Sequence, residues 1–245
     1  MYCNYRSVAD QFDVSISTAW EYFHKVINLL VKHREEYIKW PKSYLEFETI
    51  TNGFQKRAGI AGIIGAIDGT HIPITQPHLM PNPYINRHKY HSIVLQGVCT
   101  ANYMFIDCFA GCPGSIHDAR VFRMSPLNTA MNNNLISDKH HMLGDSAYPN
   151  QVNLITPYKD NGHLSRKQKK FNYLHSAARV CTEQTFGLLK GRFRILRHVN
   201  IYCTDVIPKV IIACCILHNI CMTMNDNDVF FFFLMCGGCL VAVTP

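Results

Sequence analysis

Three acidic residues stand where a carboxylate needs a chemical reason to be. Glu183 lies in RVCTEQTFGLLKGRFRIL (residues 179–196), among the densest cations of the chain. At about 100° per residue, Phe186, Leu189, Phe193 and Leu196 share one side of a helix, which should pack inward. Glu183, Gly187, Lys190 and Arg194 run along the edge beside it, so a carboxylate, an unobstructed glycine and two cations would face a phosphate backbone. A solvated flank with an ordinary surface Glu is the alternative. Asp68 sits in IIGAIDGTHIPI (residues 63–74), a β-branched, glycine-punctuated run that reads as a buried strand, where an unpaired carboxylate is costly. A turn at Asp68-Gly69 is the alternative, weakened by Pro73 in the return strand. Asp145 follows a short strand ending at Gly144 in HMLGDSAYP, at the strand end where α/β proteins place ligands; an Asx turn would also explain it. Carboxylates of this kind, brought together, repel one another and invite a hard divalent cation such as Mg²⁺ or Mn²⁺, held through oxygen.

Several elements must position these acids. Residues 1–35 read as helical, with a turn near Asp13-Val14-Ser15 and an N-cap at Ser15 or Ser17. This is either a helix-turn-helix presenting Ser17, Thr18, Glu21 and His24 to a DNA groove or a plain helical hairpin. Residues 36–60, with Pro41, Asn52 and Gly53, read as a linker or wrapping segment. Residues 92–100 and 104–110 form an antiparallel hairpin. A helix beginning HDARVF follows, with Ser115 and Asp118 spaced as a capping box that gives Asp118 a structural task. Residues 154–158 make the last strand, and Ser165 opens the basic helical region that carries Glu183.

At 245 residues and 48% apolar composition, the chain can bury a sizeable core. Its formal charge is +7, but ten of its 24 Lys and Arg fall within residues 159–197 against two acids, Asp160 and Glu183. Basicity this concentrated points to a polyanion, nucleic acid first. Lys169, Lys170, Lys190, Arg192, Arg194 and Arg197 are the candidate phosphate contacts. Eleven cysteines, an odd number without a signal peptide, argue for reduced and mostly buried thiols. His218-x-x-Cys221 and Cys236-Gly-Gly-Cys239 each lack the second ligand pair of a structural zinc site. The apolar run at 229–243, interrupted by Gly237 and Gly238, is short for a membrane span, so no membrane partner is expected. Acyl-transfer chemistry finds no support, since there is no GxSxG and Cys181 has no evident base.

The motifs GAIDGTHIPI, PGSIHDARVF, GDSAYP, TEQTFGLLKGRFRIL and ILHNI, in this order, resemble the PIF/Harbinger-type DDE transposases and the nucleases derived from them. The resemblance covers residues 61–222; the tail, residues 223–245, resembles nothing in that family. It implies an α/β fold with an RNase H-like core, a mixed five-stranded sheet flanked by helices, beside a small N-terminal helical region. It places the catalytic, metal-holding acids at Asp68, Asp145 and Glu183. His71, His117 and Asp118 adjoin motif positions and are candidates to orient those acids, against the simpler reading as structural residues. The implied chemistry uses two divalent ions, about 3.5–4 Å apart, to activate water and stabilise the departing 3′-oxygen of a DNA phosphodiester. In a transposase the freed 3′-hydroxyl then attacks target DNA. The alternative is a domesticated, non-catalytic DNA-binding protein that keeps the fold. A separate Myb-like DNA-binding protein, homo-oligomerisation and residence in the nucleus, with the cytoplasm second, are further expectations from the resemblance.

Overall fold

The apolar, β-branched stretch around Asp68 becomes the central strand of the molecule. In the computed structural model, which describes residues 5–133, 135–137 and 139–224, β1 (Ile63–Pro73) runs unbroken through Asp68-Gly69, so no turn forms there. β2 (Ser92–Cys99) pairs antiparallel with it, setting Asp68 opposite Gly97 and Gly69 opposite Gln96. β3 (Phe105–Pro113) returns antiparallel on β2, through a turn closed by the Thr100 N–H on the Met104 carbonyl at 2.9 Å. On the far side β4 (His141–Leu143) and β5 (Leu154–Ile155) add in parallel. The order is β3-β2-β1-β4-β5, the mixed five-stranded sheet that the resemblance implies.

Alternation along β1 decides what each face holds. Ala66 packs with Ala178 and Cys181 of α7 (Arg166–Arg192), whereas Ile67 packs with Phe122 of α5 (Asp118–Met124) and Leu127 of α6 (Pro126–Asn132). Ser165 opens α7 with a capping box to Gln168, as expected. The helix ends at Arg192, however, and Arg194–Arg197 continues as a 3-10 turn. Phe193, Ile195 and Leu196 are all buried; on a continued helix Phe193 and Ile195 would stand about 200° apart, so the backbone leaves the α-form to bury both. α8 (Ile207–Thr223) buries every residue from Val210 to Ile216, as befits a helix apolar all round.

The N-terminal helices α1 (Tyr5–Phe12) and α2 (Ile16–Lys32) join through Asp13 at φ 50°, with Ser15 accepting from the Thr18 N–H. Ile27 is buried, and Phe23, Leu30 and Val31 pack against the core built on α7 and α8. Ser17 and Glu21 are exposed, Thr18 and His24 half-buried. The segment at 36–60, read as a linker or wrapping segment, is largely helical: it takes in the end of α3 (Arg34–Tyr37) and the 15-residue helix α4 (Tyr44–Ala58). The Ser43–Glu46 capping box starts α4 and Gly59, at φ 70°, ends it. Phe54 and Ala58, four apart, are buried against β1 and α7, and that burial overrides the loop propensity of Asn52-Gly53. Residues 225–245, including the Cys236 and Cys239 pair, lie outside the described residues.

A half-buried ion pair ties α3 to the edge of the sheet. Arg34 Nη2 donates to the Cys108 carbonyl at 2.6 Å and to Asp107 Oδ1 at 3.3 Å. Burial pushes the Asp107 carboxyl up to about 6, with Arg34 pulling the other way. Between the ordinary carboxylate value and 6 the folded state therefore binds more proton than the unfolded chain, and stability falls as pH rises through that window. The Asp107 share is ~2–3 kcal/mol. Urea unfolding at pH 5 and pH 7 should show about 1.3 kcal/mol of this loss in the wild type and not in Asp107→Asn; the same change in both proteins would remove the assignment.

Candidate active site

β4 pairs with β1 only as far as Ala66, which stands opposite Leu143. Two residues beyond that pair on each segment come Asp68 and Asp145, so the parallel register brings the two acids side by side where β4 stops. Asp145 turns at once, its Oδ1 accepting the Ala147 N–H at 2.9 Å; the Asx turn and the strand-end placement are both realised. Asp68 faces α7. Arg179 Nη2 donates to Asp68 Oδ2 at 3.1 Å, and the Gly69 N–H donates to Oδ1 at 2.8 Å. The Thr182 hydroxyl, which donates to the Arg179 carbonyl at 2.8 Å, lies 3.4 Å from Oδ2. Burial raises the Asp68 carboxyl above its ordinary range; Arg179 and the Gly69 N–H oppose this, and Asp145 adds to it by repulsion.

Asp118 joins the same field. No side chain caps α5, whose N-cap position is His117, so the capping box expected from Ser115 and Asp118 is not formed. The Asp118 carboxylate instead lies over the Cα of Gly69: a Cβ there would collide with Oδ1 and stand 3.1 Å from Cγ. Burial, then Asp145, then Asp68 push the Asp118 carboxyl up. Glu183 takes a different place. It is exposed on α7 beside Thr182, and among the described residues it forms no hydrogen bond with Asp68 or Asp145. Asp68, Asp118 and Asp145 are brought together, and Glu183 is not joined to them.

The basic residues divide into two groups. Lys169, Lys170, Arg194 and Arg197 are exposed. Lys190 turns inward, its Nζ donating to Thr70 Oγ1 at 2.7 Å and to the His71 carbonyl at 3.0 Å, and burial lowers its pKa. Arg192 meets His218 Nδ1 at 3.0 Å. These two cations therefore pin α7 to β1 and α8 rather than standing out as surface charges. Gly187 is open, a Cβ there meeting nothing within 4 Å. His71 is hydrogen-bonded through Nδ1 to Ser92 Oγ at 3.1 Å, and His117 is exposed. His218 Nε2 reaches the Tyr103 carbonyl at 2.8 Å, so both its ring nitrogens have structural partners. The described cysteines are free thiols, six of them buried. Among the described residues no helix is long and apolar enough to cross a membrane.

The family described as DDE superfamily endonuclease matches residues 67–219, more than half of the chain and the whole of this site. The chain belongs to that family. Among its relatives, Protein ALP1-like of Arabidopsis thaliana is 28% identical over 236 residues, covering 90% of this chain and 57% of its own. The Arabidopsis thaliana protein named antagonist of like heterochromatin protein 1 is 30% identical over 235 residues, covering 90% and 59%. Human HARBI1, whose name marks it as a candidate nuclease, is 28% identical over 218 residues, covering 87% and 61%. The chain thus spans about three fifths of the length of these relatives. No solved structure matches it. In this DDE-family chain the donor set at the end of β4 is all oxygen and net negative, three aspartates against the one guanidinium paired with Asp68, which fits a hard divalent cation in type. Among the described residues no three such side chains already stand at ligating distance of one ion; Arg179 supplies the positive charge at Asp68. Sequence reading missed Arg179 and Thr182, both within the quoted helix motif and one turn or less from Glu183.

Proposed function

We propose that this chain cuts DNA phosphodiester bonds with the help of Mg²⁺ or Mn²⁺, using Asp68, Asp145 and Glu183 as its acids. The observation that most supports this is that Asp68 and Asp145 each lie two residues beyond the last β1–β4 pair, Ala66 with Leu143, in a chain of the DDE family. When bound, the divalent ions supply Lewis-acid activation of water and of the leaving oxygen. Asp68, within β1, and Asp145, just past the end of β4, would hold them, with Glu183 of α7 as the third acid. Arg179 must release Asp68 for that to happen, and it remains close enough to meet a phosphate instead. Arg194, Arg197, Lys169 and Lys170 hold the DNA backbone, so binding should weaken steeply with salt. Residence in the nucleus follows from that substrate.

One observation favours a second reading. The Arg179–Asp68 ion pair already neutralises part of the site, as a DNA-binding protein without nuclease activity would require. Supercoiled plasmid, incubated with Mg²⁺, Mn²⁺ or EDTA, decides between them. The expected result is nicking with either ion and none in EDTA, with Glu183→Gln slower by at least about a hundredfold, the scale of losing one group aimed at the transition state. Retained DNA binding with no cutting by the wild type in either ion would replace the enzyme by the binding protein.

A further inference from the structure

The connection from β1 to β2 carries NRHKYH (residues 86–91), in which basic and aromatic side chains are interleaved, and the mechanism above leaves it unused. Ile85 and His91 bridge antiparallel across it. The Lys89 N–H donates to the Asn86 carbonyl at 2.9 Å and the Asn86 N–H to the Tyr90 carbonyl at 3.0 Å, a tight turn closed by a residue in the left-handed region. That residue is Lys89, at φ 62°, where glycine is the easier choice. A cationic side chain is kept there against the preference of the backbone.

The loop is held from beneath. Asn86 is buried; its Oδ1 accepts the His88 N–H at 2.9 Å and the Tyr90 N–H at 3.3 Å, and its Nδ2 donates to Ser92 Oγ at 3.0 Å. Ser92 Oγ also lies 3.1 Å from His71 Nδ1. The Ser92 carbonyl accepts the Gly114 N–H at 2.8 Å and the Pro83 carbonyl the Ser115 N–H at 3.1 Å, so the loop is fastened to the segment that leads into α5. On this footing Arg87, His88, Lys89 and Tyr90 are all exposed. The Tyr90 ring meets His71 at 79°, centroids 6.5 Å apart, and His88 lies nearly parallel to Tyr90, at 15° and 6.3 Å.

This platform stands beside the acids. His71 and Gly69, two apart on β1, share the face over which Asp118 lies. Burial, then Arg87, His88 and Lys190, lower the His71 pKa, and Arg87 opposes the rise that burial, Asp145 and Asp68 impose on Asp118, so one exposed arginine is within reach of both. Phosphates nearing a net negative cluster are repelled unless cations flank it. Arg179 is taken by Asp68, and Lys190 by Thr70 and the His71 carbonyl. Lys169 and Lys170 lie about 20 Å of helix before Glu183.

We propose that residues 86–90 are a platform for the DNA strand beside the cut, with Arg87 and Lys89 holding backbone phosphates and the exposed Tyr90 ring, His88 parallel to it, stacking on a base freed from the duplex next to the scissile bond. This rests on the reading of the chain as a nuclease. A ring takes any base by its face, but only one that has left the duplex stack, so the platform selects strand form and not sequence.

The test is fluorescence anisotropy of the full chain in EDTA, with a labelled single-stranded oligonucleotide and the same sequence as a duplex, over a series of salt concentrations, and thermal unfolding recorded in parallel. Arg87→Gln is expected to weaken both about tenfold, the scale of a hydrogen bond to a charged group, and to reduce the salt slope by about one; Arg87→Lys should keep the slope. Tyr90→Ala should weaken the single strand about tenfold and leave the duplex nearly unchanged, while Tyr90→Phe, which keeps the ring, should bind as the wild type does. If Tyr90→Ala does not fold, Tyr90→Leu reads the same contrast. A loop that only braces β1 and β2 would lower the unfolding temperature in these variants without changing affinity. Wild-type affinity and salt slope in Arg87→Gln, or equal losses for both strand forms in Tyr90→Ala, would overturn the proposal; Mg²⁺-dependent nicking by the same wild-type preparation would leave the nuclease reading standing. No DNA binding by the wild type would overturn both.

Discussion

Replacing Asp145 by Asn will lower metal-dependent nicking by at least about a thousandfold, the scale set by groups that act mainly in the transition state, and will leave the fold as stable as before. The separation of the two effects comes from the local geometry. Asp145 Oδ1 accepts the Ala147 N–H at 2.9 Å, and the Asn carbonyl oxygen can accept the same bond, so the turn after β4 survives. What is lost is one negative charge, and both Asp68 and Asp118 are raised by that charge, so its removal relieves repulsion in the cation-free protein. Asp68→Asn is the less clean variant. It would strand the Arg179 guanidinium, which has only 18% of its side chain exposed and whose Nε is already unpaired, so activity and stability should fall together. Nicking rates and urea midpoints of the two variants separate these effects. Nicking by Asp145→Asn within tenfold of wild type would end Asp145's part in the chemistry.

Which features the sequence disclosed depends on the range of the forces that made them. β1, β2 and β3 were legible because β-branched runs and a short turn are local signals, and the Ser165 cap because it is a contact between residues three apart. The meeting of Asp68 with Asp145 was not. It depends on the parallel register of β4, a strand of three residues, and register between distant segments is settled by packing rather than by local composition. The resemblance to a family carried that step. Asp118 shows the opposite failure: its spacing from Ser115 mimics a capping box, but the Ser115 N–H bonds the Pro83 carbonyl and the Ile116 N–H the Pro113 carbonyl. Helix α5 thus begins too late for Ser115 to cap it. Composition also told the sign of the charges at Lys190 and Arg192 without telling that Lys190 would turn to Thr70 and Arg192 to His218. The helix at α4 was hidden by Asn52-Gly53, although Gly53 sits close against Ala101, its would-be Cβ 3.2 Å from the Ala101 Cβ.

Asn219, within ILHNI, makes the largest stability prediction. Its Oδ1 accepts the Phe105 N–H at 2.9 Å, while Nδ2 donates to the Phe105 carbonyl at 2.7 Å and the Tyr37 carbonyl at 2.8 Å. One buried amide thus completes the backbone of β3 at the strand start and fixes the end of α3 to α8. Asn219→Ala would leave an N–H and two carbonyls unpaired, each costing about 1–3 kcal/mol where water does not enter. A net loss of about 3 kcal/mol is expected in urea unfolding, once partial wetting at Tyr37, itself exposed, is allowed for. Asn219→Asp should be no milder, since it keeps the acceptor for Phe105 but faces two carbonyls with a negative charge. A loss under about 1 kcal/mol would show that the surrounding backbone finds other partners. In the folded fraction of Asn219→Ala, Mn²⁺ affinity should match the wild type, because the amide touches β3 and α3 and none of the three aspartates. That outcome would assign ILHNI to holding the sheet together and leave the cutting chemistry to the acids at the end of β4.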